Sequence, residues 1–137
     1  MKALEQIELI DYAEMRQNES CLFSMQIDSD ILRGPGSSCQ WLKHLKLINV
    51  SRLWEKITGI SVIEAKKNFM LLLMKIDPDD MMDIYPMMYK SLSECTKFET
   101  DVCYHYPNGR MQRLMISIQP KHIGSRIVCE GTIQTLK

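Results

Sequence analysis

The sequence carries no excess charge of either sign: lysine plus arginine and aspartate plus glutamate both number 17. Nucleic-acid modules normally show a basic excess or a basic face, so that class is set aside. Long apolar runs are missing as well. The longest, Phe69–Met74, is a fraction of the ~20 residues that a membrane-spanning helix needs. The opening Met1-Lys2-Ala3-Leu4-Glu5 is polar by its fifth residue and does not read as a secretory leader. No cysteines stand as C-x-x-C, and none pairs with a histidine at structural-zinc spacing. Cys21, Cys39, Cys95, Cys103 and Cys129 therefore read as free thiols, mostly buried, with no metal site assigned. The expectation is a single cytoplasmic domain that contacts neither nucleic acid nor membrane, since 137 residues suit one hydrophobic core.

Catalytic signatures are equally scarce. Gly34-Pro35-Gly36 lacks the Lys-Ser/Thr that completes a phosphate loop. Asp77, Asp79, Asp80 and Asp83 form the one dense carboxylate cluster, but the Gly turn and terminal Glu of a calcium loop are absent. Helix capping explains the first three. His44, His105 and His122 each stand alone and read as surface residues. Without a nucleophile–base or acid–base constellation no catalytic residue is assigned, and the domain is read as non-enzymatic.

What the chain does have is methionine, 11 in all. No His or Cys is interleaved with Met81-Met82 or Met87-Met88, so they read as adaptable core or pocket filling rather than as soft metal ligands. Met1–Asn18, free of Gly and Pro, predicts a helix flanking the domain at 19–137, although Asp11 and Glu14 intrude on its apolar stripe. A strand is predicted over Cys21–Asp28, a loop over Asp28–Gln40, and a second strand over Leu45–Val50. Ser51 is placed as the cap of a short helix over Arg52–Thr58 that Gly59 stops in the left-handed region. Ser61-Val62-Ile63-Glu64 is a capping box, and Asp77-Pro78-Asp79-Asp80 starts a further helix that Pro86 should break or kink. Beyond it, Phe98, Thr100, Val102, Tyr104 and Tyr106 share one strand face and Glu99, Asp101, Cys103 and His105 the other. Asn108-Gly109 is a hairpin signal, and the return strand alternates through Leu114, Ile116 and Ile118. A turn over Pro120–Ser125 and a last strand over Arg126–Leu136 complete an α+β order.

Four segments, in order, carry a resemblance to the PAS sensory domain over about residues 20–135. They are Val50-Ser51 with Ile57-Thr58-Gly59-Ile60-Ser61, then Ile76-Asp77-Pro78-Asp79-Asp80, then Phe98-Glu99 leading to Pro107-Asn108-Gly109, and finally Gly131. The resemblance implies a five-stranded antiparallel sheet of order 2-1-5-4-3 with short helices on one face and a small-molecule pocket between the layers. It also implies a sensory or dimerisation module within a larger signalling protein such as a sensor histidine kinase. The inward-facing pocket candidates are Phe23, Met25, Ile57, Met88, Leu92, Tyr104, Leu114 and Ile116. Residues 79–95 contain no His and no Asn-Cys-Arg-Phe-like helix is present, so haem held by a helix-borne histidine and LOV-type flavin chemistry are both set aside, and the cofactor stays open.

Three classes of function remain. The leading one is the sensory module, dimerising through the outer sheet face (Met111, Arg113, Met115 and Val128) and the Met1–Asn18 helix. A stand-alone binding or catalytic α+β domain would rely on Tyr104 and Asp101, which lie on opposite strand faces. A ligandless interaction domain would fill its cavity with its own methionines.

Overall fold

A computed structural model describes residues 19–33 and 39–136. The helix predicted for Met1–Asn18 and the glycine-rich part of the first loop lie outside the described residues. Strand β1 (Ser20–Asp28) alternates as its sequence requires, with Cys21, Phe23, Met25 and Ile27 buried and Leu22 exposed. Where a loop is predicted after it, the chain forms two 3-10 helices, Ser29–Arg33 and Cys39–His44. Packing is the cause. Leu32, Trp41 and Leu42 are buried, the Tyr89 hydroxyl donates to the Leu32 carbonyl at 2.6 Å, and the Trp41 ring lies 5.8 Å from that of Tyr89. An apolar connection of this kind folds onto the core instead of crossing the surface.

β2 (Lys46–Val50) pairs with β1, with a register shift between Ser24 and Met25. Helix α1 (Trp54–Thr58) begins without the predicted Ser51 cap. The Ser51 hydroxyl instead accepts the Leu22 amide at 2.8 Å and ties the turn back to β1. Gly59 stops α1 at φ 71°, its amide donating to the Glu55 carbonyl at 2.9 Å. Ser61 caps α2 (Val62–Lys67) by accepting the Glu64 amide at 3.1 Å, and α3 (Met70–Leu73) follows.

Asp77 caps α4 (Pro78–Glu94) by accepting the Asp79 amide at 3.0 Å. The helix is continuous through Pro86, so the break that the sequence allows there does not occur. Pro86 and Met82 are both exposed, so the Met82 carbonyl deprived of its donor lies where water replaces it.

β3 (Phe98–His105) and β4 (Met111–Ile123) form the hairpin at Asn108-Gly109, where Gly109 has φ 87° and the Asn108 side chain accepts the Arg110 amide at 2.9 Å. β4 continues past the turn predicted at Pro120, and the actual turn centres on Gly124 at φ 63°. Pro120 is buried opposite Cys129, and beyond Ile118 β4 has no β3 neighbour. It is an edge on that side, the setting in which a strand tolerates proline. β5 (Arg126–Leu136) returns through the middle of the sheet, pairing with β1 from Ser20↔Gln134 to Asp28↔Arg126. The order is β2-β1-β5-β4-β3, all antiparallel, as the resemblance implies.

The helices cover one face. The other carries Met111, Arg113, Met115 and Val128 as the alternation requires, but these do not form a continuous apolar patch. Val128 sits opposite Lys121, with Ser117 and Gln119 separating it from Met115 along β4.

Gly59 and Gly109 adopt backbone angles that side chains with a Cβ resist. Gly59→Val and Gly109→Val are each expected to cost about 1 kcal/mol or more through backbone strain, read as lower urea midpoints. Unchanged midpoints in both would show that neither turn depends on glycine.

Candidate functional site

The inner sheet face, α3 and α4 enclose a small apolar cavity of about 20 Å³. Phe23 and Met25 of β1, Phe98 of β3, Ile116 of β4, and Ile84 and Met88 of α4 wall it. That volume is about one water's worth, and a site so apolar gives water no partner. Four of the eight pocket candidates, Phe23, Met25, Met88 and Ile116, therefore meet at one void. Ile57, Leu92, Tyr104 and Leu114 are buried but belong to the packed interior around it. Phe69, Leu72 and Leu73 also line the void and were not among the candidates. Their signal was the Phe69–Met74 run itself, whose helical end turns an apolar face inward.

Above the cavity, Phe23 lies edge-on to the fully buried Trp54 at 5.9 Å and 6.2 Å from Phe69. Trp54 Nε1 has no hydrogen-bond partner, the one such buried side-chain nitrogen or oxygen among the described residues. An unmet buried donor costs about 1–3 kcal/mol, so this indole is a polar handle that an acceptor would satisfy. Tyr104 and Tyr106 clamp the end of α1. Their hydroxyls donate to the carbonyls of Thr58 and Ile57, at 2.5 Å and 2.6 Å, satisfying orphan acceptors at the helix terminus. Burial pushes the Tyr104 phenol well above its ordinary range, so it stays a neutral donor. Asp101, its suggested catalytic counterpart, is exposed on the opposite face and paired with Arg113. The two do not share a site.

A two-layer α+β domain whose sheet has order 2-1-5-4-3, with a cavity between sheet and helices, has close parallels among solved structures. A domain of a histidine kinase from Haloarcula marismortui superposes with TM-score 0.67 over 97% of this chain and 99% of its own, at 14% identity. The chain has the PAS fold. The N-terminal domain of a diguanylate cyclase with PAS/PAC sensor from Marinobacter aquaeolei matches with TM-score 0.61 over 84% of this chain and 93% of its own, at 9% identity. The Drosophila melanogaster Cycle PAS-B domain with bound ethylene glycol matches with TM-score 0.57 over 83% and 99%, at 8% identity. No protein-family model and no curated protein matches the sequence. At such identities the PAS likeness rests on shape, held by residue patterns rather than residue identities.

Outside the PAS core, the structure joins residues that looked solitary in sequence. Cys103 and His105, two apart on the outer face of β3, meet Asp77 at the start of α4, and the three side chains offer ligand atoms all within 4.8 Å of one another. Asp77 Oδ2 lies 3.3 Å from His105 Nε2. The Asp79 amide, and after it the imidazole, hold the Asp77 carboxyl below the usual carboxylate range. His105 is thus paired, contrary to the reading of a lone surface histidine.

Burial separates the thiols of Cys21, Cys95, Cys103 and Cys129 into two kinds. It pushes Cys21 up to about 11 and Cys129 to about 12, whereas Cys95 and Cys103 are part-exposed. Native alkylation at pH 8 is expected to label Cys95 and Cys103 and to spare Cys21 and Cys129, which react only on unfolding. Peptide mass mapping checks this, and fast native labelling of Cys129 would contradict the packing of β5.

Proposed function

We propose that this domain is a PAS-type sensory and dimerisation module of a multidomain signal-transduction protein, with a sensor histidine kinase as the favoured parent, and that it is not itself catalytic. The observation that carries the reading is the apolar cavity where β1, β3 and β4 meet α4 in a PAS fold, walled in part by Met25 and Met88. Methionine is unbranched and repacks at low cost, so this wall can take two arrangements. A signal would bias one over the other, moving α4 relative to the sheet, which is a population shift. Support for the parent comes from the histidine-kinase and cyclase neighbours. No helix among the described residues is long and apolar enough to cross a membrane.

Cavity size favours a second reading beside the first, in which the domain relays conformational change with no resident ligand. A void of about 20 Å³ holds no cofactor unless the methionines move. Any ligand is then a small apolar molecule that opens its own space. Dimerisation is assigned to the outer sheet face, where a concave groove of about 630 Å³ crosses β2, β1, β5 and β4 between Leu22, Asn49, Lys97 and Glu130.

Native mass spectrometry together with methyl NMR of the methionines tests both readings. The expected result is a dimer at tens of micromolar, the weak end of specific association, with Met25 and Met88 methyls exchanging on the μs–ms timescale. A bound small molecule selects the ligand-sensing form, and an empty dimer the relay. A ligand-free monomer with static methyls would sink the proposal.

A further inference from the structure

We propose that Asp77, Cys103 and His105 form a binding site for a borderline transition-metal dication, zinc being the ion that the ligand set fits. Thiolate, imidazole and carboxylate are its three protein ligand types, and three of them with one open position describe an accessible, exchangeable site. The spacing agrees. Ligands each about 2.1 Å from a tetrahedral zinc lie about 3.4 Å apart, and Asp77 Oδ2 and His105 Nε2 are separated by 3.3 Å. The Cys103 thiol completes the triangle within 4.8 Å, and Met111 Sδ lies 3.8 Å from it as a soft wall beside the open position.

The ligands are held in advance by backbone and not only by one another. The Asp77 amide donates to the Cys103 carbonyl at 2.9 Å, and the His105 amide to the Lys75 carbonyl at 2.8 Å. Ile76 bridges Tyr104 between them, so residues 75–77 run antiparallel along the free edge of β3. The Asp80 carboxylate accepts the Cys103 amide at 2.8 Å, adding a second tie from α4. Such support from the main chain is what keeps a ligand set at binding distance. The imidazole of His105 is 43% exposed and the Asp77 side chain 34%, which leaves an entry path for an ion. Bound zinc would displace the thiol proton of Cys103 and draw on a neutral imidazole. It would pin the start of α4 to the β3–β4 hairpin, a link that lies on the sheet's edge.

The test uses the full chain without an affinity tag, reduced and stripped of metal. Cobalt is added as the spectroscopic probe, and zinc affinity is measured by competition with a chromophoric chelator. One equivalent of cobalt is expected to give a thiolate charge-transfer band that zinc abolishes, and zinc should raise Tm reversibly with EDTA. Since even outer partners of a metal ligand are worth about 10–100-fold in affinity, Cys103→Ser should lose the band and weaken zinc by more than about tenfold, while Cys95→Ser keeps both. Far-UV circular dichroism in EDTA shows whether Cys103→Ser folds. If it does not, His105→Gln at the half-exposed imidazole carries the same comparison. The absence of a band at stoichiometric cobalt, or zinc affinity unchanged in Cys103→Ser and in His105→Gln, would overturn the proposal.

Discussion

Gly131→Ala is expected to destabilise the domain by about 3 kcal/mol, more than a typical exposed strand substitution. Gly131 lies opposite Phe23 in the central β1–β5 pair, on the inner face. A Cβ there would overlap the Phe23 ring, with Cε2 at 2.9 Å and both Cζ and Cε1 nearer still. The ring has little room to move beyond the void of about 20 Å³ that it walls. It is hemmed by Trp54 at 5.9 Å and Phe69 at 6.2 Å and is only 5% exposed. Relief therefore requires the two central strands to part or three aromatics to repack together, both costly in an interior packed to crystal density. Urea melts of the variant give the loss from the midpoint and slope. The cause is separable from backbone entropy by a cycle with Phe23→Leu. The smaller side chain should return part of the loss in the Gly131→Ala background while being destabilising alone, a coupling of opposite sign to the single changes. Additive effects would show that the glycine is needed for some reason other than the ring.

Met88→Ala is expected to cost about 2–5 kcal/mol, the range for buried large-to-small changes that leave a void. The residue is 5% exposed and forms the α4 side of the cavity, facing Phe23, Met25 and Ile116. Truncation merges the space of the missing side chain with the existing void of about 20 Å³. The enlarged cavity stays apolar, and such cavities remain dry and take up small apolar solutes such as benzene. A rise in Tm of the variant on adding benzene, absent in the parent, is the expected signature of binding to the native state alone. A loss below about 1 kcal/mol, with no benzene response, would mean that the wall collapses to fill the gap. The result bears directly on function, because it measures how readily this wall gives way.

Much of the fold was readable from local pattern. Phe23, Met25 and Ile27 alternate inward in β1, as do Leu114, Ile116 and Ile118 in β4, and period-two burial needs no knowledge of the partner strand. Gly59, Ser61, Asp77 and Asn108-Gly109 mark their turns and caps because each acts on amides within a few residues. What failed had distant causes. Pro86 removes a hydrogen bond and crowds the Met82 carbonyl, and its exposure on the assembled domain lets water serve that carbonyl while the helix continues. Ser51 offered a good cap locally, but a strand 29 residues away took its hydroxyl. The connection after β1 became helical because Tyr89 and the core gave it something to pack on.

The candidate sites divide along the same line. Sequence placed Phe23, Met25, Met88 and Ile116 on an inward apolar face, and all four are buried, since facing follows from periodicity. It could not set the size of the void, which is a small difference between summed side-chain volumes and the spacing of sheet and helices. Nor could it bring Asp77 to His105 across 28 residues. Only the run of residues 75–77 along the edge of β3 joins them, and that pairing exists only once the sheet and α4 are both in place. Composition and period determined which faces are apolar and where the chain turns; tertiary packing alone decided which polar groups meet, because such meetings depend on the closure of distant segments that no local pattern encodes.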